Sequence, residues 1–202
     1  MRIGLNILYL VPGEVGGSEI YARELVPALA AERPEDEFIV YCAAEAGDSL
    51  RDESWPSNVE LRVLDLTARN KPQRVLTEIF RLPHIARKDR LDLLHSLGQT
   101  TPLWGCGKRV ISVLDLIYHH YPETFPGPAR RGLELLVPLG AKRADRVTTI
   151  SQATKDDLVA TYSVDASKVD PVLLGAGFSE HAERALAECG VVLAGHGDSI
   201  LV

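Results

Sequence analysis

The sequence predicts an α/β fold: a doubly wound, mainly parallel sheet with helices on both faces, of the Rossmann-like kind. Short apolar or alternating runs recur along the chain, and most are separated by segments of helical periodicity. The first run, residues 3–10, is almost continuously apolar, as a strand covered on both faces should be. Strands joined by helices of this length form βαβ units, and these units build parallel sheets.

The predicted elements follow one another in a regular order. The strands are residues 3–10, 37–43, 59–66, 91–95, 109–114, 146–150 and 168–174. The helices are residues 18–32, 72–87, 128–144 and 151–162. Ser18 and Ser151 are expected to cap the helices that they open. Proline disrupts helix interiors, so we expect a kink or an end at Pro83 and an interruption near Pro138.

Residues 1–178 are predicted to form one Rossmann-like, acceptor-side domain. A helix predicted from about Ser179 leads to residues 198–202, which have the pattern of another strand. A lone terminal strand cannot make a second domain. We therefore expect residues 179–202 to be a linker helix and the truncated start of a missing C-terminal domain.

Composition excludes several classes of protein. The chain has 202 residues, a net charge of −6 and a pI near 5.5, which argues against nucleic-acid binding. Three cysteines far apart, without a CxxC pair, favour neither a zinc site nor a disulfide framework, and they suit a cytoplasmic protein. The apolar N-terminus lacks a cleavage site, so we expect a buried strand there rather than a signal peptide. No apolar run is long enough to predict a membrane span.

The loop after the first strand, G-E-V-G-G-S, contains Gly16 and Gly17. Glycines let backbone N–H groups approach a ligand, and the helix N-terminus behind them favours anions. This pattern indicates a diphosphate- or polyol-binding loop, although a plain tight turn would contain the same residues. The loop is not GxGxxG, and Cys42 and Ala43 rather than an acidic residue end the second strand, so we expect no nicotinamide cofactor.

The loop after the fifth predicted strand concentrates polar and aromatic side chains. It contains Asp115, Tyr118, His119, His120 and Glu123. Rings stack on the apolar faces of sugars and carboxylates accept hydrogen bonds from hydroxyls, so the loop is typical of carbohydrate binding. A proline-rich surface loop with local backbone bonds is the alternative. Metal binding is disfavoured, because adjacent histidines rarely point at one ion.

Two other strand ends and one charged segment complete the candidates. Ser151 and Gln152 open a helix directly after a strand, where they can contact a ligand. His95 and Ser96 end another strand, although a lone histidine there is more often structural. Residues 69–90 hold seven basic and two acidic side chains, a net +5, beside an apolar helical face. They suit either a core-packed helix with a solvated face, which we favour, or contact with an anionic membrane.

The order and spacing of these motifs resemble the retaining glycosyltransferases of the GT-B class, family four. The resemblance runs from Met1 to about Phe178. It is carried by GGSEIYAREL (16–25), LDLLHS (91–96), VISVLDLIYHHYPE (110–123), ADRVTTISQATKDDL (144–158) and KVDPVLLGAGF (168–178).

The resemblance implies two Rossmann-like domains facing a cleft, with the acceptor on the N-terminal domain and a nucleotide-sugar on the C-terminal one. It implies sugar transfer to a saccharide or lipid-linked acceptor, with retention and without metal or other cofactor. On this basis Asp115, His119 and His120 are predicted to be catalytic. Donor or acceptor contacts are predicted for Gly16, Gly17, Glu19, Ser96, Tyr118, Glu123, Ser151 and Gln152.

Two departures from the family pattern shape the expectation. Many members carry His-Asp where this chain has Leu114-Asp115. Leucine cannot bond a sugar hydroxyl, so His119 or His120 fills that role or it is vacant. The donor domain lies outside these 202 residues, so we expect activity only when it is supplied in cis or on another chain. The alternative is a non-catalytic module that binds a glycan or a partner; a sugar-nucleotide epimerase would need a dinucleotide fingerprint, which the sequence lacks.

Overall fold

A computed structural model of the chain describes residues 1–105, 107–125 and 127–174. In these residues seven parallel strands form one sheet in the order β3-β2-β1-β4-β5-β6-β7. The strands are β1 (Arg2–Asn6), β2 (Glu37–Ala43), β3 (Val59–Leu64), β4 (Leu93–Ser96), β5 (Lys108–Val113), β6 (Arg146–Thr149) and β7 (Val169–Pro171). The α-helices are α1 (Gly17–Glu32), α2 (Ala44–Arg51), α3 (Lys71–Leu76), α4 (Leu82–Lys88), α5 (Ile117–His120), α6 (Pro128–Arg143) and α7 (Gln152–Tyr162).

The predicted doubly wound parallel sheet is confirmed. Neighbouring residues of β2 point to opposite faces, where Val40 packs with α1 and α2 while Ile39 packs with α4. A third apolar cluster joins β5 and β6 to α6 and α7. The strand order reverses between β1 and β4, and in such sheets ligands bind beyond the carboxyl ends of the strands.

The first strand is shorter than predicted. β1 ends at Asn6, and the Leu10 N–H donates to the Ile7 carbonyl in a turn. Ile7, Leu8 and Leu10 are nevertheless almost fully buried. The apolar run therefore indicates burial, which the strand and the loop after it share. Periodicity alone does not distinguish a buried strand from a buried loop.

Two predictions about helix geometry are wrong. Ser18 is not the N-cap of α1; Gly16 is, and the Ser18 hydroxyl donates to the Val15 carbonyl at 2.8 Å. The helix over 128–144 is not interrupted, because α6 continues through Pro138. A proline there removes one backbone hydrogen bond, and the complete burial of Val137 and Ala141 on either side holds the helix against that cost.

The helix does not end at Pro83, because α4 continues through it; the distortion lies just before, where a π-helical turn over Thr77–Arg81 joins α3 to α4. The predicted cap of the last helix is confirmed: Ser151 Oγ accepts from the Thr154 N–H at 3.0 Å. The short helices α2 and α5 were not predicted from the sequence.

Residues Met1–Val172 form one compact unit. The predicted boundary at residue 178 and the segment 179–202 lie outside the described residues. Among the helices that the structure does describe, none has the length and apolar character needed to cross a membrane.

Candidate functional site

Loops from different strands touch one another at the carboxyl edge of the sheet. Tyr9, after β1, packs on Gly98, after β4, where a Cβ atom would overlap the tyrosine ring. The next residue, Gln99, donates from Nε2 to the Asp115 carbonyl of the β5 loop at 3.2 Å. The loops after β1, β4 and β5 therefore form one continuous rim.

The β6 loop joins the same rim. Thr154 Oγ1, in the first turn of α7, donates to the Leu114 carbonyl at 3.4 Å. Its backbone N–H is capped by Ser151, which lies two residues after the end of β6. The loops predicted to contain the site, those with Gly16, Asp115 and Ser151, thus belong to one edge of one sheet.

The glycine loop presents backbone to open space. Gly13 and Gly16 have φ of 75° and 58°, values that favour glycine. A Cβ atom at Gly13, Gly16 or Gly17 would meet nothing within 4 Å. Gly16 caps α1 without a side-chain hydrogen bond. A 16-residue helix therefore points its N-terminus toward an unobstructed surface, as an anion- or hydroxyl-binding loop requires.

Glu19 is engaged in holding this loop. Its carboxylate accepts from the Gly13 N–H at 2.7 Å and pairs with Arg23, four residues along α1, at 2.8 Å. Arg23 in turn contacts Ser49 and Glu53. The structure thus gives Glu19 a role in shaping the glycine loop, and its predicted contact with a ligand stays a prediction.

The Asp115 side chain opens the next loop. Its Oδ1 accepts from the Ile117 N–H at 3.0 Å, which starts the short helix α5, and the residue is half-buried. The two predicted catalytic histidines lie exposed on α5 and face α7. His120 Nε2 is 2.7 Å from Asp157 Oδ2, and His119 Nδ1 is 3.5 Å from the Tyr162 hydroxyl. They attach α5 to α7, and their catalytic role is still a prediction.

The remaining predicted site residues divide by burial. Ser96 and Tyr118 are at most 1% exposed and pack inside the domain. Glu123 and Gln152 are exposed, and Gln152 donates to Asp156 at 2.7 Å. Ser151 is half-buried and serves as a helix cap. Direct ligand contact by Ser96 or Tyr118 would therefore require the loops above them to move.

The Tyr118 hydroxyl is buried with no hydrogen-bond partner in the structure. Burial, with the nearby Tyr162 hydroxyl as a smaller cause, raises the pKa of Tyr118 far above its usual value. The ring packs in the apolar cluster of α6 and α7. Tyr118 thus supports the loop from beneath.

Two polar networks under this rim were not predicted from the sequence. One centres on Glu78 and joins Asn6 to Thr100. The other centres on Ser112, which contacts His95. Glutamate in a basic, amphipathic segment gave no sign of burial, and serine in a strand is too common to be a signal.

Across residues 1–105, 107–125 and 127–174, no group of three or more histidine, cysteine, aspartate and glutamate side chains is placed to hold a metal ion.

Known proteins share the family and the fold of this chain. The family model described as Glycosyltransferase Family 4 matches residues 15–175. No curated protein matches the chain. The solved structure of the lipopolysaccharide outer core galactosyltransferase WaaB, in its apo form, has a TM-score of 0.51 at 10% identity and covers 89% of this chain and 47% of that one.

Two other solved structures resemble the chain over a similar share of its length. A protein of Listeria monocytogenes described as a UDP-N-acetylglucosamine 2-epimerase has a TM-score of 0.51 at 14% identity, covering 83% of this chain and 44% of its own. A glycosyltransferase from Rickettsia africae ESF-5 has a TM-score of 0.48 at 14% identity, covering 96% and 50%. The chain spans about half the length of these proteins. A transferase and an epimerase share the fold, so the fold alone does not decide the reaction.

Proposed function

The chain belongs to Glycosyltransferase Family 4, and from that premise we propose that it is the acceptor-side domain of a retaining glycosyltransferase. The reaction moves a sugar from a nucleotide-sugar to a saccharide or lipid-linked acceptor. One observation carries the proposal: an unobstructed glycine loop at a helix N-terminus and a polar, aromatic loop share the carboxyl edge of a parallel sheet.

The chemistry of the two loops supports this reaction. Backbone N–H groups at Gly16 and Gly17 suit the oxygens of a diphosphate or a sugar. In the second loop Ile117 and Tyr121 are about half exposed and offer apolar surface beside the Asp115 carboxylate. Apolar surface with a few fixed polar groups is what sugar rings bind. Asp115, His119 and His120 are our candidates for the residues that touch the reacting sugar.

The proposal includes a second domain, in cis or on a separate chain, that holds the nucleotide-sugar. Two solved structures support it, because each is about twice as long as the region that this chain matches. The transferred sugar comes from the nucleotide-sugar, which is a substrate, and we propose no cofactor.

We also propose that the basic segment 69–90 lets the protein rest on the anionic inner face of the cytoplasmic membrane. Leu76 and Phe80 are 57% and 56% exposed on successive turns, and Arg81 and Arg87 are exposed in the same segment. Exposed apolar side chains with flanking cations suit shallow insertion among anionic headgroups. This surface would hold the domain near a lipid-linked acceptor.

A vesicle-sedimentation experiment tests the membrane contact. Phe80→Ser is expected to weaken binding to vesicles containing phosphatidylserine by about tenfold, because it removes an inserted ring. Leu135→Ser on α6 is the matched control, since Leu135 is 60% exposed on another helix. Equal binding by both variants, or equal binding to neutral vesicles, would contradict the contact.

A transfer assay tests the main proposal. The chain is supplied with the donor domain and assayed with a panel of UDP-, GDP- and ADP-sugars, and separately alone. Transfer is expected only with the donor domain, and the isolated chain is expected to bind nucleotide-sugars weakly. Nanomolar binding of a nucleotide-sugar by the isolated chain would count against the acceptor-side role. Saccharide binding without transfer, with every donor and with the second domain present, would favour the non-catalytic module.

A further inference from the structure

A buried polar network lies beneath the loop after β4. Glu78 at its centre is 1% exposed. Thr100 Oγ1 donates to its Oε2 at 2.6 Å, and Asn6 Nδ2 donates to its Oε1 at 3.3 Å. Asn6 Nδ2 also lies 3.2 Å from Ser96 Oγ, whose hydroxyl donates to Thr101 Oγ1 at 3.0 Å. The network joins the ends of β1 and β4, where the strand order reverses, to the residues that follow β4.

A carboxyl group in this position is costly for the fold. Burial raises the pKa of Glu78, and the nearby Arg74 charge and the two hydrogen bonds only oppose that effect. An apolar side chain of similar volume would fill the same space without loss of hydration. What an apolar side chain cannot do is fix the direction of Thr100 and Asn6 by hydrogen bonds.

The helix is distorted at the point where Glu78 enters the network. Thr77–Arg81 is a π-helical turn between two α-helical segments. In this turn Thr77 and Glu78 are buried while Phe80 is exposed, as is Leu76 just before the turn. An extra residue per turn is less stable than a regular α-helix, and such turns recur at functional sites.

The residues held by the network are the middle of the rim. Thr100 directly follows Gly98 and Gln99, which carry the contacts to the neighbouring loops. Tyr9 packs on Gly98, and its hydroxyl donates to the Ser18 carbonyl at 2.8 Å, inside the first turn of α1. On the other side Gln99 donates to the Asp115 carbonyl. A shift of Thr100 therefore reaches the glycine loop and the Asp115 loop together.

We propose that Glu78 is a positioning residue of the acceptor site: through Thr100 and Asn6 it fixes the β4 loop, and through that loop the spacing between the Gly16 and Asp115 loops. It touches no substrate. The proposal rests on the proposed function, because it assigns this spacing to the binding of an acceptor.

Three variants test the role of Glu78. Glu78→Leu fills the volume but removes both hydrogen bonds. Glu78→Gln retains an oxygen for Asn6 and offers an N–H to Thr100, whose hydroxyl can accept it. Leu50→Ala is the control for general destabilisation, because Leu50 is fully buried on α2 and its apolar side chain takes no part in the polar network.

Amide hydrogen exchange is the first readout. The reporters are the N–H groups of Leu97, bonded to the Asn6 carbonyl, and of Ile117, bonded to Asp115; the Phe38 N–H in β2 is the reference. In Glu78→Leu both reporters are expected to exchange about tenfold faster relative to the reference, since local opening becomes easier. Glu78→Gln should restore slow exchange, and Leu50→Ala should leave the ratio unchanged. Unchanged ratios in Glu78→Leu would overturn the proposal.

Steady-state kinetics with the donor domain present is the second readout. Glu78→Leu is expected to raise the acceptor KM about tenfold while the donor KM stays within about twofold, and Glu78→Gln should recover most of the loss. An equal fall in kcat for all three variants would reduce Glu78 to a stability residue and overturn the proposal. If the unaltered protein transfers no sugar, the proposed function fails, whereas the exchange ratios still decide whether Glu78 holds the two loops.

Discussion

The side of the sheet that faces α1 is built in two different ways. Over β1 and β2 its side chains are apolar, and Leu5 and Val40 are fully buried beneath α1 and α2. Over β4, β5 and β6 the same side holds a polar strip, which consists of His95, Ser112 and Thr148 with Tyr21 of α1 against them. Leu5 and His95 are direct neighbours in register, so the change occurs between adjacent strands. One half is held by exclusion of water and the other by hydrogen bonds.

Ser112 is the centre of the polar strip. Its Oγ lies 2.9 Å from His95 Nε2, 3.0 Å from the Tyr21 hydroxyl and 2.9 Å from Thr148 Oγ1. A serine hydroxyl has one donor and two acceptor positions, so three partners satisfy it completely. The polar strip therefore stays intact only while each member keeps its protonation state and place.

The largest expected effect comes from the apolar half. Leu5→Ala leaves a cavity between β1 and α1, and truncation of a fully buried leucine costs about 2–5 kcal/mol. Urea denaturation of the two proteins measures the loss of unfolding free energy. A loss below about 1 kcal/mol would contradict tight packing in this half.

The second effect is a loss of stability at low pH that comes from His95. Burial lowers the pKa of His95 to about 4, below its ordinary 6.5. The unfolded chain therefore binds the proton first: the stability is complete above pH 6.5 and falls as the pH drops from 6.5 towards 4. The loss is at most about 3 kcal/mol, from 1.36 kcal/mol per pKa unit.

Denaturation midpoints measured between pH 7.5 and 4 for the unaltered chain and for His95→Gln test this loss. The difference between the two curves isolates His95 from the other titrating groups. Parallel curves would contradict a neutral histidine in the polar strip.

The third effect is the loss of the central hydroxyl. Ser112→Ala deprives Tyr21, His95 and Thr148 of a shared partner and is expected to cost about 1–3 kcal/mol, because three half-buried polar groups lose a hydrogen bond at once. The double variant with His95→Leu should cost less than the two single changes together, since the removed partners were paired with each other. Additive costs, measured by the same denaturation, would mean that the contacts are not coupled.

The smallest effect lies at the end of the polar strip. Thr148→Val removes one contact of Ser112 and leaves two, and Thr148 is itself half-buried. We expect a cost of about 0.5–1 kcal/mol, the usual net worth of one hydrogen bond. A cost as large as that of Ser112→Ala would place the centre of the polar strip at Thr148 instead.

The contrast between the two halves also explains what the sequence could predict. Apolar periodicity revealed the strands and most helices, and the bounds of β2 match the prediction at both ends. The same signal extended β1 to residue 10, because the buried loop after it is equally apolar. Helix caps were harder to predict. The cap at Ser151 was predicted correctly, and its hydroxyl accepts a hydrogen bond, whereas the Ser18 hydroxyl donates one to the Val15 carbonyl and caps no helix.

The candidate site, too, could be predicted only in part. Loops at strand ends can be predicted to share an edge from topology alone, and the Gly16, Asp115 and Ser151 loops do lie there. Which side chains point outward could not be predicted. Tyr118 was expected to contact a ligand and lies in the core, while Glu78 was expected in a helix with a solvated basic face and lies beneath the rim. The direction of such a side chain depends on partners that are distant in the sequence, as Thr100 is from Glu78, and a local sequence pattern does not indicate them.

A comparison of two glycines tests most directly whether the glycine loop is part of the transfer site. Gly17 in the rim and Gly132 on α6 are both helical, and a Cβ atom at either would meet nothing within 4 Å. Gly17→Leu and Gly132→Leu should therefore fold equally well, and kcat/KM for transfer to the acceptor is measured with the donor domain present. We expect a fall of at least about tenfold for Gly17→Leu and none for Gly132→Leu. Equal activity of the two variants would contradict a site at the glycine loop.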